Sequence, residues 1–232
     1  MSDDTSTGVR WERRRFLTVG LGLVGGAAVW SVGPVRPAVA APERAPRQQT
    51  WQDARSANGW PVVGRVRSHP IEGSGLTVDV LDGAPATVLL HVARRFHYEI
   101  DNLRPKDVTG HTTSRTVAQP YESNYLSGTA IAIRPAGYPT GARDGFFPQE
   151  LVVVRDILAD CEGVVRWGGD EDVPKESHFQ IDVGPTDARL KAVAAKIGGW
   201  ADSPGRGAGT VDAFDPGRRL AARRLERSQR PA

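Results

Sequence analysis

The sequence of 232 residues has little cysteine: Cys161 is its single one. One cysteine cannot form an internal disulfide, so the fold must be stabilised by its core or by a metal. Cys161 lies in an apolar helical stretch, and a lone cysteine in such a stretch is typically a small buried hydrophobe.

A strongly basic core is also missing. The chain has 30 Lys and Arg against 27 Asp and Glu, a formal net charge of +3, and a pI of about 9.3. Residues 41–200 hold 18 basic and 20 acidic groups, whereas residues 1–40 carry a net +2 and residues 201–232 a net +3. A nucleic-acid-binding domain concentrates positive charge on one face, so this charge distribution argues against a nucleic-acid partner.

The one long apolar run lies within residues 1–40. Arg13-Arg14-Arg15-Phe16-Leu17 precedes a Gly-rich apolar stretch, which is followed by Ala38-Val39-Ala40. This pattern is typical of a twin-arginine-type signal that engages the export machinery. A retained signal anchor is disfavoured, because a helix that spans a membrane needs about 20 apolar residues and this apolar stretch is shorter. We therefore expect cleavage after Ala40 and an exported protein, in the cell envelope or secreted.

Composition divides the rest of the chain into three parts. Residues 41–59, rich in Arg, Gln, Pro and Ala, predict a linker, and residues 60–200 predict a folded domain. Residues 201–232 predict a basic, disordered tail, although Asp215-Pro216 is a typical helix start. Contact of this tail with anionic wall polymer or a membrane surface is the alternative to a solvated tail.

Periodicity within residues 60–200 indicates both helices and strands. An apolar stripe through Val88, Val92 and Phe96 predicts an amphipathic helix within 84–103. The remaining predicted elements are strands near 76–80, 128–133, 163–167 and 179–183, and helices near 151–161 and 187–197. This order predicts an α+β fold with a small antiparallel sheet and flanking helices.

Three segments carry candidate functional residues: Ser123-Asn124-Tyr125-Leu126-Ser127-Gly128-Thr129-Ala130-Ile131-Ala132, Arg166-Trp167-Gly168-Gly169-Asp170 and Glu176-Ser177-His178-Phe179. In order and spacing they resemble the secreted zinc peptidases of the D-alanyl-D-alanine carboxypeptidase and L-alanyl-D-glutamate peptidase family. The resemblance covers residues 60–190. It implies a hedgehog/peptidase-like fold and peptidoglycan peptides as partners.

The family motif Ser-x-His-x-x-Gly-x-Ala-x-Asp supplies two zinc ligands, and a later His-Phe strand supplies the third. A catalytic zinc takes three such ligands and activates a water, a carboxylate accepts the proton, and a cation balances the oxyanion. The resemblance implies that Arg115 binds substrate and stabilises the transition state. It also places Ser123 and Trp167 among the substrate contacts.

The sequence departs from this motif at the ligand and base positions. Tyr125 replaces the first His, Ala132 replaces the Asp and has no lone pair, and only His178 is retained. Lys175 stands where the family has its acidic base. Glu176 is adjacent, but neighbouring residues of an extended segment point to opposite faces, so Glu176 replaces the base only if the loop shifts by one.

These departures predict an exported relative that is catalytically impaired, holds no cofactor and binds peptidoglycan peptides. Two alternatives stay open: an active zinc metallopeptidase with rearranged ligands that cleaves D-Ala-D-Ala or L-Ala-D-Glu bonds, and an envelope scaffold protein. We expect the ring of Tyr125 to fill the metal pocket and its hydroxyl to meet His178 or a backbone carbonyl. Asp170 is predicted in a solvated turn, and His91 and His97 at the surface or its boundary.

Overall fold

The computed structural model describes residues 48–201, 203 and 208–229. The predicted export signal, residues 1–40, lies outside the described residues. Within the described ranges, no helix has the length and apolar character needed to cross a membrane.

Strands and helices alternate irregularly along the chain. The strands are β1 (Gln49–Thr50), β2 (Arg67–Ile71), β3 (Leu76–Val80), β4 (Val108–Thr109), β5 (Thr116–Val117), β6 (Ala130–Ile133), β7 (Val165–Trp167) and β8 (His178–Ile181). The α-helices are α1 (Ala84–Glu99), α2 (Pro148–Asp160), α3 (Ala188–Ala201) and α4 (Pro216–Gln229), and short 3₁₀ helices span Pro120–Tyr125 and Gly168–Asp170. The predicted α+β class is therefore confirmed.

A four-stranded antiparallel sheet of order β4-β6-β8-β7 forms the centre of the fold. β2 pairs with β3 and β1 with β5 in two further antiparallel pairs. In the central sheet Ala132 lies opposite His178, and Trp167 lies opposite Phe179. This register brings all three motif segments together, in or directly beside the strands that the sequence predicts.

Helix α1 packs on the core through the predicted stripe, since Val88, Val92 and Phe96 are fully buried. Its buried surface is wider than that stripe. His91 and His97 are 2% and 9% exposed, so the prediction that they lie at the surface or its boundary is wrong. Arg95 on the same helix is fully buried as well, because two carboxylates of α2, those of Asp156 and Asp160, neutralise its charge.

The two predicted appendages belong to the folded domain wherever the structure describes them. Trp51 donates its backbone N–H to the carbonyl of Arg115, which fixes this part of the predicted linker beside β5. At the other end, Asp215 Oδ1 accepts the N–H groups of Gly217 and Arg218 and caps α4. Residues 216–229 are therefore a helix, and the prediction of a disordered tail is wrong for them.

Helix α4 is held against α2 by charge and by packing. The Arg218 guanidinium bonds to Asp156 at 2.8 Å and to Asp160 at 2.9 Å, and Asp156 is 1% exposed. Ala222 is buried on the same side of the helix, and Gln229 Nε2 donates to the Val165 carbonyl over 2.8 Å. One face of α4 is therefore packed against the rest of the domain.

Candidate functional site

The three ligand positions of the resembled motif converge beside the central sheet. The β6–β8 register places Ala132 opposite His178, and the ring of Tyr125 lies 5.0 Å from the His178 ring, centroid to centroid. Gly128 makes the turn from the 3₁₀ helix into β6 with φ of +68°, and a Cβ there would lie 2.9 Å from the backbone nitrogen of Leu81. Glycine at this motif position is therefore required by the backbone.

A chain of hydrogen bonds links these residues. The Tyr125 hydroxyl donates to His178 Nδ1 over 2.7 Å, which confirms the predicted contact. His178 Nε2 donates to Gln180 Oε1 over 2.9 Å, and Asn124 Nδ2 donates to the same oxygen over 2.6 Å. Because an amide oxygen only accepts, the network assigns the proton of the imidazole to Nε2 and leaves Nδ1 as the acceptor.

Burial keeps both partners uncharged. His178 is completely buried, which lowers the pKa of its imidazole to about 4. Burial also raises the pKa of Tyr125 well above its ordinary value, and the nearby carboxylate of Glu122 adds to the shift. Near neutral pH the pair is therefore a phenol bonded to a neutral imidazole.

Lys175, at the base position of the resembled motif, forms an ion pair with Glu122. Its Nζ lies 2.6 Å from Glu122 Oε1 and 5.3 Å from the centroid of the Tyr125 ring. Glu122 also accepts the backbone N–H groups of Ala118 and Gln119. Burial raises the pKa of Glu122, but Lys175 and these two amides lower it overall. The site is thus balanced in charge by its own side chains.

These donors do not fit a catalytic zinc. Both nitrogens of His178 are engaged in hydrogen bonds, Ala132 has no lone pair, and Tyr125 would have to ionise to become a good ligand. Across the part of the chain that the structure describes, no three His, Cys, Asp or Glu side chains form a group that could hold a metal. The carboxylate that offsets the charge of zinc in the family motif has no replacement at Ala132.

Glu176 does not take the place of the missing base. Its carboxylate accepts the N–H of Asp144 over 3.0 Å and the N–H of Gly145 over 2.8 Å. A Cβ on Gly145 would lie 2.7 Å from Glu176 Oε2, so glycine permits this close approach. Glu176 therefore fixes the loop before α2 instead of facing His178.

Arg115 is placed on the N-terminal segment. Its Nη1 donates to the carbonyls of Trp51 and Asp53, each over 3.1 Å, and the guanidinium does not line the cleft described below. This arrangement secures β1 against β5. The substrate role that the resemblance implies for Arg115 has no counterpart in its contacts.

Ser123, Trp167 and Asp170 also make internal contacts. Ser123 Oγ donates to the Pro120 carbonyl, and Trp167 Nε1 donates to the Glu176 carbonyl over 2.7 Å. The Asp170 side chain is 1% exposed and bonds to the Arg155 guanidinium. The prediction that Asp170 lies in a solvated turn is therefore wrong, because α2 brings an arginine against it.

An open cleft with a volume of about 660 Å³ adjoins the Tyr125–His178 pair. Its polar lining includes four amide side chains, those of Asn58, Gln119, Asn124 and Gln180. Gln180 and Asn124 belong to the hydrogen-bonded chain above, so the closed site forms part of the cleft wall. The ring of Tyr121, 4.9 Å from the His178 ring, adds an aromatic surface.

The charged lining of the cleft is mainly acidic. Glu171, Asp172 and Asp182 line it together with a single arginine, Arg166. Arg166 Nε lies 3.3 Å from Asp182 and 3.9 Å from Glu171. Burial raises the pKa of Glu171, the neighbouring carboxylates add to that shift, and Arg166 opposes it. The cleft therefore has an excess of negative charge.

Sequence reasoning missed several of these side chains. Gln180 could have been predicted as a neighbour of His178, because residues two apart on a strand share a face and His178 begins β8. Asn58 had no such signal, since its surroundings resembled a linker. Its Nδ2 donates to Thr129 Oγ1 and to the Ile181 carbonyl, both over 2.8 Å, and this places the segment at the cleft.

Comparison of the chain with protein-family profiles, with curated proteins and with solved structures found no match. The resemblance to the zinc peptidases accordingly rests on the motif residues of the sequence alone.

Proposed function

We propose that the chain is a zinc-independent, catalytically impaired relative of the D-alanyl-D-alanine carboxypeptidase-type peptidases that binds peptidoglycan peptides in the cleft. The observation that carries this proposal is the 2.7 Å hydrogen bond from Tyr125 to His178 Nδ1, which joins two of the family's ligand positions. Ala132, at the remaining ligand position, lies opposite His178 in the sheet, and this placement supports a hedgehog/peptidase-like fold.

Loss of catalysis follows from the groups present at the site. The donors at Tyr125, Ala132 and His178 do not suit a zinc that would activate a water molecule, and Lys175 at the base position is already paired with Glu122. Peptide hydrolysis needs a general base and stabilisation of the oxyanion, which together supply much of a typical enzymic rate enhancement of about 8–23 kcal/mol. The active-peptidase alternative requires ligands that the site does not bring together.

Retained binding follows from the cleft. The amide of Gln119 in the cleft wall carries both N–H donors and an oxygen acceptor, which suits the backbone of an extended peptide. The excess of carboxylates at Glu171, Asp172 and Asp182 favours an ammonium group over a free carboxylate. We therefore expect a stem peptide with a free side-chain amine to bind better than the same peptide with that amine acetylated.

Export belongs to the same proposal, because cell-wall peptides lie outside the cytoplasm. Residues 1–40 carry the twin-arginine pattern, with Arg13 and Arg14 as its pair. Changing both to Lys keeps the charge but removes the arginines that the export machinery recognises. Cell fractionation should then find the variant retained in the cytoplasm, whereas an unchanged distribution would contradict export by this route.

The decisive experiment measures zinc content and peptide binding on one preparation of the full chain. We expect no stoichiometric zinc, no release of D-alanine, and saturable calorimetric binding of an amine-bearing stem peptide. Asp172→Asn should weaken that binding, whereas Asp79→Asn, an exposed change on β3 outside the cleft, should not. Chelator-sensitive hydrolysis would establish an active peptidase instead, and absence of both binding and hydrolysis would favour the scaffold.

A further inference from the structure

We propose that the exposed face of α4 docks reversibly on an anionic phospholipid membrane. This face is defined by Arg219, Leu220, Arg223, Arg224 and Arg227, all of which are exposed. With about 3.6 residues per turn, these side chains fall within an arc of about 140°. The proposal is independent of what the cleft binds.

The fold fixes which side of α4 faces outward. Arg218, Ala222 and Gln229 hold the opposite side against the domain, through the Asp156 and Asp160 carboxylates and the Val165 carbonyl. This packing keeps Arg219, Arg223, Arg224 and Arg227 on the exposed side of the helix. Glu226, the one acidic residue of the helix, is 3.4 Å from Arg155 and so lies toward α2.

The charge of this face is uncompensated. Throughout the described ranges, none of Arg219, Arg223, Arg224 and Arg227 has an ion-pair partner. The two acids nearest to the start of the helix are engaged elsewhere, since Asp215 caps α4 and Asp212 accepts the N–H of Phe214. Four guanidinium groups on one face make a surface that suits phosphate.

Exposed apolar side chains decide between a membrane and a soluble polyanion. Leu220 lies within the arginine arc and is 47% exposed, and Phe214, just before the helix, is 49% exposed. A phosphate polymer would bind the arginines and leave both apolar side chains in water. A lipid surface takes the guanidinium groups at its headgroups and the apolar side chains below them. The combination therefore favours a membrane.

The test attaches an environment-sensitive fluorophore to the full chain through Leu220→Cys. Cys161 is fully buried, and burial raises the pKa of its thiol to about 12, so the label goes to the new cysteine. We expect vesicles containing phosphatidylglycerol to shield the label from acrylamide and pure phosphatidylcholine vesicles not to do so. A label at the exposed Ser114→Cys should stay accessible in both, which distinguishes docking of α4 from insertion of residues 1–40.

Charge variants give the second measurement. Each guanidinium near an anionic surface strengthens binding about fivefold, so Arg223→Gln with Arg227→Gln should weaken vesicle binding about 25-fold. The matched control, Arg65→Gln with Arg67→Gln, changes two exposed arginines outside α4 and should have little effect. Equal shielding at positions 220 and 114, or shielding by soluble polyphosphate but not by vesicles, would overturn the proposal.

Discussion

Tyr125 and His178 form a buried, neutral hydrogen-bonded pair: the phenol donates to Nδ1 over 2.7 Å, and both side chains lie in the interior. The far side of the imidazole is bonded to Gln180, so each nitrogen has a partner. Such a pair needs no ion to satisfy it. In the proposed relationship, it occupies the place where the zinc peptidases hold their metal.

Tyr125→Phe should destabilise the fold by about 1–3 kcal/mol, because it leaves buried Nδ1 of His178 without a donor. Urea unfolding followed by circular dichroism measures this change. Tyr98→Phe is the control, since Tyr98 is 50% exposed and its substitution should cost less than about 0.5 kcal/mol. Equal stability of the two variants would mean that the hydrogen bond to His178 contributes nothing.

Lys175→Met should destabilise the fold by about 1–3 kcal/mol, because it leaves the Glu122 carboxylate partly buried without its cation. The cost lies below that of a fully buried pair, since the two side chains keep 16% and 10% exposure. Adding Glu122→Gln should recover part of the loss, with a coupling energy above about 0.5 kcal/mol in the double-mutant cycle.

The matched control for this pair is Arg67→Met, which breaks an exposed contact with Asp82 at 3.8 Å. Exposed pairs contribute about 0–1 kcal/mol, so its unfolding free energy should hardly change. Strict additivity of the Lys175 and Glu122 substitutions would contradict a direct interaction between them.

Stability should fall as the pH drops from 6.5 toward 4. Burial lowers the pKa of folded His178 to about 4, so between these values the unfolded chain binds a proton that the native chain excludes. A shift of this size corresponds to about 3 kcal/mol. His91 acts in the same direction, because burial lowers its pKa too. Burial raises the pKa of Asp160, but His91 and two arginines lower it overall to about 2, so Asp160 changes the stability only at lower pH.

His178→Gln isolates the contribution of the site, because the amide keeps an acceptor for Tyr125 and does not titrate in this range. The difference in unfolding free energy between about pH 7 and pH 4.5 should be smaller in the variant than in the wild type. The same difference in both proteins would place the acid sensitivity elsewhere.

Much of the fold was predictable because it follows from local periodicity. The strand Leu76–Val80 matches its prediction, and α1 begins at the predicted Ala84. β2 was missed, since Arg67–Ile71 contains Pro70 and three charged or polar residues and becomes a strand only by pairing with β3. α3 continues through Gly198-Gly199 to Ala201, because contacts with α1 outweigh the low helix propensity of glycine.

The buried charged residues could not be predicted from the sequence. Arg95 follows Val92 by three residues and Val88 by seven, so it lies on the apolar side of α1, where a charged side chain is not expected, and it is fully buried. Its guanidinium reaches Asp156 and Asp160 on α2, which Arg218 of α4 also contacts. Such a network depends on three helices meeting, so no single segment carries a signal for it.

The sharpest prediction concerns whether the closed site is a modified zinc site. Tyr125→His with Ala132→Asp restores both missing ligands of the family motif, and the β6–β8 register places the new carboxylate opposite His178. A third change, Lys175→Glu, restores the base and leaves Glu122 without its cation. We expect the double variant to bind one zinc per chain and to be stabilised by it, because binding to the folded state raises the free energy of unfolding.

Elemental analysis and thermal unfolding with and without a chelator measure this gain. Tyr125→His alone is the matched control, since it adds an imidazole but keeps Ala132, and two imidazoles without a carboxylate should bind zinc far more weakly. The carboxylate introduced by Ala132→Asp would be a buried, unpaired charge without zinc, so the double variant should melt lower than the wild type once the metal is removed. If zinc neither binds nor changes the melting temperature of the double variant, the three positions do not have the geometry of a metal site, and the proposed relationship to the zinc peptidases fails even if the cleft still binds peptide.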